Sequence, residues 1–117
     1  MKLSDDRQGD VLIVRPEGRI DTNTSEELEK WLASRLDGGQ KRLVLDLGAL
    51  DYISSAGLRV FLMTLKKVKG NGGQLVLAGL NTSVRQIFDL AGFSSMFAIE
   101  PDVERAVARA AGGAGGA

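Results

Sequence analysis

Two residue types are missing from the 117-residue chain altogether, histidine and cysteine. Their absence excludes a Ser-His-Asp triad, a Cys-His pair, a disulfide framework and zinc sites of the usual ligand types, so no serine here reads as a hydrolytic nucleophile. A surplus of charge of either sign is missing too. Fifteen Lys and Arg balance fifteen Asp and Glu, which leaves no net field to draw the chain to nucleic acid or anionic lipid. No apolar run approaches the ~20 residues of a membrane span, and the N-terminal MKLSDDRQGD lacks the apolar core of a signal peptide. With the lack of cysteine, this points to one soluble domain in a reducing, cytoplasmic setting, with no nucleic acid, membrane, cofactor or metal expected. Catalysis by carboxylates alone stays open on paper, because Asp21, Asp46 and Asp51 could surround a divalent cation, but nothing in their spacing demands it. The chain is not expected to be an enzyme.

What the chain does have is centred on residues 43–69, LVLDLGALDYISSAGLRVFLMTLKKVK. Continuous apolar character with one aspartate over 43–47 predicts a strand covered on both faces. Further on, Leu58, Phe61, Leu62, Leu65 and Val68 recur at helical spacing, and Arg59, Lys66, Lys67 and Lys69 fall outside that stripe. Ser54 and Ser55 sit at the switch between the two patterns. A hydroxyl is therefore predicted at a helix N-terminus, where unpaired N–H groups and the macrodipole favour an oxygen. A serine there reads first as a cap. A phosphate, with about −1.5 to −2 charge units and three acceptor oxygens, would be accepted better still.

The flanks supply a supporting scaffold. Residues 11–14 predict a first strand ended by Pro16, then a turn through Pro16, Glu17 and Gly18 and a second extended piece at Arg19 and Ile20. Thr24 and Glu27 match a capping box that opens a helix with Leu28, Trp31, Leu32 and Leu36 on one face, ended by Gly38 and Gly39. The glycine-rich turn at 70–73 fits no phosphate-binding loop pattern, and 75–78 predict another buried strand. Asn81, Thr82 or Ser83 caps a helix bearing Val84, Ile87, Phe88 and Ala91. Residues 97–99 predict a short edge strand. Pro101, Asp102 and Glu104 open a last helix whose apolar side chains, Val103, Ala106, Val107 and Ala110, are small. The order β-β-α-β-α-β-α-β-α predicts an α/β fold, a mixed and mainly parallel sheet of about five strands with flanking helices. Residues 1–111 read as one domain and 112–117 as a flexible Gly/Ala tail.

The run LDLGALDYISSAGLRVF, with GRIDTNT upstream and LAGLNTSVRQIFDLAGF downstream, resembles the STAS domain family, and more narrowly its single-domain bacterial anti-sigma factor antagonists. The likeness extends to about Ala111 in matching order and spacing. It implies a small STAS-like α/β sandwich and a function in partner switching. An anti-sigma factor with serine kinase activity would bind the unphosphorylated chain and give up its sigma factor. Phosphorylation would end that binding, and a PP2C-type phosphatase would reverse it. Aligned on Gly57 and Leu58, the resemblance puts the phosphoacceptor on Ser55. It puts Ser54 where many members carry Asp, Ala56 in place of a second hydroxyl residue, and Asp21 at an acidic position beside the acceptor. The implied docking surface comprises Asp21, Thr22, Asn23, Ile53, Ser54, Ser55, Ala56, Gly57 and Arg59. Two other functions fit the same residues. One is a STAS-like scaffold that binds a small ligand, a nucleotide or another protein without phosphorylation, Ser55 being a plain cap; the other is the cation-dependent enzyme above.

Overall fold

Alternate residues of three strands face two different cores, and this sets the layering of the protein. The structure, a computed structural model, describes residues 1–113. Its elements are β1 (Lys2–Gln8), β2 (Val11–Ile20), α1 (Thr22–Leu36), β3 (Arg42–Asp46), β4 (Leu50–Ile53), α2 (Ser55–Gly70), β5 (Gln74–Ala78), α3 (Thr82–Leu90), β6 (Ala98–Glu100) and α4 (Val103–Ala108). The sheet runs β1-β2-β3-β5-β6, with β4 paired to β2. Only β1 and β2 are antiparallel.

Leu12, Val14, Leu43, Leu45, Leu75 and Leu77 turn toward α1, α2 and α3 and form the larger core. Val11, Ile13, Val44, Val76 and Ala78 turn the other way, onto Ala106 of α4 and Ala110. Strands β3 and β5 are thus buried on both faces, which is why they read as unbroken apolar runs. In the larger core Phe88 of α3 lies 6.2 Å from Phe61 of α2 and 5.9 Å from Phe97, centroid to centroid, the second pair edge-on.

The expected fold class holds, with six strands instead of about five. The opening pair, however, is assembled differently. The two short strands expected at 11–14 and at Arg19 and Ile20 are one ten-residue strand, β2. Pro16 does not end it. Val14 is the last residue of β2 to pair with β3 and Gly18 the first to pair with β4, so Pro16 falls between the two parallel partners and breaks no bond on that side. Gly18, at φ +95°, carries the register shift that follows and bends the strand toward β4.

The strand that completes the hairpin is β1, in the polar N-terminus ahead of the strand at 11–14 that the sequence puts first. The first helix also begins earlier than expected. Asp21, not Thr24, is its N-cap, and the capping box runs from Asp21 to Thr24 instead of Thr24 to Glu27. The last helix, by contrast, begins later: Asp102 caps α4 from outside, and the helix opens at Val103 and not at Pro101. Of the tail expected from residue 112, Gly112, at φ +133°, breaks the helical course that follows α4, and 114–117 lie outside the described residues.

Phe88→Ala tests the larger core. It should lower unfolding stability by about 3–5 kcal/mol, a large share of the ~5–15 kcal/mol typical of a domain. Urea unfolding followed by circular dichroism measures this, and a loss below about 1 kcal/mol would contradict the packing described.

Candidate functional site

Strands β2 and β4 run parallel and stop together, with Ile20 opposite Ile53. The Ser54 N–H donates to the Ile20 carbonyl at 2.8 Å, the last rung of that pairing. Each strand then passes through a single residue into a helix. Asp21 leads from β2 into α1, and Ser54 leads from β4 into α2. Two helix N-termini therefore open side by side on one edge of the sheet.

The two ends are capped by different chemistry. Asp21 accepts backbone N–H groups from Asn23 at 2.9 Å and Thr24 at 3.0 Å, and its own N–H donates to the Thr24 hydroxyl at 2.8 Å. A fixed carboxylate thus already fills the positive end of α1. At α2 the cap is neutral: the Ser54 hydroxyl oxygen accepts the Gly57 N–H at 3.2 Å. Ser55 is the first residue of α2 and is exposed, and its hydroxyl makes no hydrogen bond within the chain among the described residues. The serine that caps and the serine that is free are different residues.

Glycine at position 57 makes this close approach possible. A Cβ there would sit 2.6 Å from Ile20 Cγ2 and 2.7 Å from Ile53 Cγ1, so only glycine lets the first turn of α2 rest on the paired strand ends.

Of the residues expected to form a docking surface, Asp21, Thr22, Asn23, Ser54, Ser55, Ala56 and Arg59 gather at this edge or open from it, all at least partly exposed. Ile53 and Gly57 do not belong to the surface. Ile53 is 1% exposed and Gly57 is buried, because both are the floor on which the turn is built. Two neighbours were missed. The Arg19 guanidinium stacks over the Tyr52 ring at 4.4 Å, across the β2–β4 pairing that sets the two residues opposite each other. The signal was the pairing itself, which needs β4 to be recognised.

Of the three aspartates named for a cation, two are engaged elsewhere. Asp46, almost buried, takes Arg15 Nε at 2.7 Å and the Gly48 N–H at 3.1 Å. Asp21 is engaged in its cap, and Asp51 is exposed. Among the described residues no three His, Cys, Asp or Glu side chains cluster to hold a metal. Nor is any described helix long and apolar enough to cross a membrane.

The family model of the STAS domain matches residues 2–106, and the chain belongs to that family. Within it the chain falls among the anti-sigma factor antagonists. It is 44% identical over 108 residues, 92% of this chain and 93% of the relative, to BtrV of Bordetella bronchiseptica, which is named as such an antagonist. The fold superposes with a TM-score of 0.88 on an anti-sigma factor antagonist from Thermotoga maritima, at 22% identity and covering 93% of this chain and 94% of that one. SpoIIAA of Bacillus, solved in unphosphorylated and phosphorylated forms, superposes with TM-scores of 0.73 and 0.70 at 13% and 15% identity. The first covers 96% of this chain and 99% of that one, the second 92% and 98%.

The Asp21 carboxyl is held below its ordinary range, chiefly by the Thr24 backbone N–H, with further help from the Thr24 hydroxyl, the Asn23 N–H and the charge of Arg19. A depressed value in the folded state means that ionised Asp21 stabilises the fold above the unfolded value of about 3.9, and that this contribution is lost as pH falls through the folded value. Wild type should therefore exceed Asp21→Asn in urea stability at pH 7, with the gap narrowing toward pH 3. An equal gap at both pH values would mean that the carboxylate charge is not what holds the α1 cap.

Proposed function

We propose that this chain is an anti-sigma factor antagonist that works by partner switching in the cytoplasm, with Ser55 as its phosphoacceptor. In the unmodified form the edge around Asp21, Asn23, Ser54 and Ser55 docks an anti-sigma factor that is itself a serine kinase, and the sigma factor is released. The kinase transfers the γ-phosphoryl group of ATP to the Ser55 hydroxyl oxygen, whose proton leaves. The modified chain dissociates, and a PP2C-type phosphatase restores the serine by hydrolysing the phosphoester.

The observation that carries this reading is the division between the two serines. Ser54 is committed to the Gly57 N–H, whereas the Ser55 hydroxyl, at the first turn of a 16-residue helix, is exposed and has no hydrogen bond among the described residues. A kinase can reach Ser55 without undoing a cap. The existence of SpoIIAA in a phosphorylated form with the same fold agrees with this proposal.

The physics of the switch follows from where the charge would lie. A phosphate on Ser55 faces the positive end of α2, a placement worth about 0.3–1 kcal/mol at an exposed site, so the fold tolerates it. At an interface the same group is a dianion beside the Asp21 carboxylate. Burying it unpaired costs several kcal/mol, and each 1.4 kcal/mol is about tenfold in affinity. Desolvation and repulsion close the surface without refolding.

With the anti-sigma kinase of the source cell, Ser55→Ala should bind as wild type does and take up no phosphate from ATP, whereas Ser55→Asp should bind at least ~100-fold more weakly. Both should keep the wild-type circular dichroism spectrum. Calorimetric titration and mass spectrometry of the ATP-treated chain measure these outcomes. Equal binding by the two variants, or phosphate on a residue other than Ser55, would defeat the proposal.

A further inference from the structure

Beside Ser55 the surface continues into a groove between α1 and α2. Ala33 of α1 and Ala56, Val60 and Met63 of α2 line it, and it comprises a cavity of about 540 Å³ and an adjoining one of about 110 Å³. Its apolar lining is open: Met63 is 48% exposed, one of three large apolar side chains so exposed among the described residues. From Ala56 to Lys67 the groove follows α2 for roughly three helical turns, or about 16 Å at 1.5 Å per residue.

The charges along the walls are arranged unevenly. Lys30 is paired with Glu26 at 3.3 Å and Lys67 with Asp37 at 3.4 Å. Glu29 on the α1 wall and Arg59 on the α2 wall line the same cavity, both exposed, and neither has an ion-pair partner among the described residues. An acid and a base thus flank an apolar trough without closing on each other. Two alanines keep the trough accessible to a third helix, and methionine is the side chain that adapts most readily to a partner's shape.

We infer that this groove receives an amphipathic helix of the anti-sigma partner. That helix carries apolar side chains at i, i+3 or i+4, and i+7, a basic residue toward Glu29 and an acidic residue toward Arg59. Opposite charges on the two walls fix its orientation, and its end at Ala56 lies next to Ser55. The inference rests on the partner-switching reading for the identity of the partner. It adds that affinity is built along α1 and α2, while Ser55 sits at the end of the groove as the gate. Chemically, the occupant is a protein helix and not a small ligand, because three turns of mixed apolar and charged lining match a helix face.

The absence of cysteine gives a clean test, since a single introduced thiol is the only one in the chain. Met63→Cys is labelled with an environment-sensitive fluorophore and titrated with the same anti-sigma kinase. Leu90→Cys, at a position 89% exposed and outside the groove, serves as the control. The Met63→Cys label should shift to the blue on complex formation and the Leu90→Cys label should not. Glu29→Lys and Arg59→Glu should each weaken binding at least tenfold, while Ser55 is still phosphorylated at saturating kinase. A benzophenone placed at Met63→Cys should cross-link to a helical segment of the partner with the stated spacing.

An unshifted Met63→Cys label together with wild-type affinity in both charge reversals would overturn the groove, and so would a cross-link to a loop. A shift that grows with chain concentration in the absence of the kinase would identify a second copy as the occupant and also overturn it. The two claims separate cleanly. If Ser55→Asp abolishes binding while the groove variants bind normally, the switch stands and the groove falls; if Ser55→Asp binds as wild type while the Met63→Cys label shifts, the reverse holds.

Discussion

One backbone hydrogen bond, from the Ser54 N–H to the Ile20 carbonyl, ties the end of β4 to the end of β2 and decides where both neighbouring helices begin. Because the strands are parallel and in register at Ile20 and Ile53, α1 and α2 start side by side and point the same ends at the same surface. Their dipoles would add unfavourably if both ends were left uncompensated. The chain resolves this asymmetrically. Asp21 compensates α1 with a permanent charge, and Ser54 satisfies an α2 donor while leaving that end neutral. The second helix end is therefore the one where a removable charge changes most, and Ser55 stands there.

The scaffold beneath the turn is rigid for identifiable reasons. Ile20 and Ile53 are fully buried, the glycine at position 57 allows α2 to lie on them, and Phe61 and Phe88 pack below. Under the proposed modification of Ser55, nothing in this floor needs to move. In the proposed switch a partner reads the surface charge through electrostatics and desolvation, so that stability and signalling fall to different residues. The opposite sheet face is covered by the small side chains Ala106 and Ala110, and no candidate site residue lies there.

Elements with strong periodicity were legible in the sequence, and those without it were not. The stripe Leu58, Phe61, Leu65, Val68 marked α2, and the unbroken runs marked β3 and β5, because each is buried in the way its pattern states. β1 was illegible. It is an edge strand with mostly exposed polar residues, held by pairing to β2 and not by burial. β4 was missed because four residues offer too few alternations to read. The start of α1 was misplaced by three residues because Asp21 and Thr24 both satisfy a capping signature, and only the paired strand end selects between them. At the candidate site, the sequence separated Ser55 from Ser54 only through resemblance, whereas the geometry separates them by hydrogen bonding. The burial of Ile53 and the stacking of Arg19 on Tyr52 depend on the β2–β4 pairing and could not be read before it.

Whether one phosphate on Ser55 closes the proposed docking edge without disturbing the fold can be read from the chain prepared stoichiometrically phosphorylated at that residue. Its affinity for the anti-sigma factor is compared with that of the unmodified chain, and a two-dimensional amide spectrum of each is recorded. The affinity should fall at least ~100-fold, with amide shifts confined to the first turns of α1 and α2. Undiminished affinity, or shifts spread through the core around Phe61 and Phe88, would contradict the proposed switch.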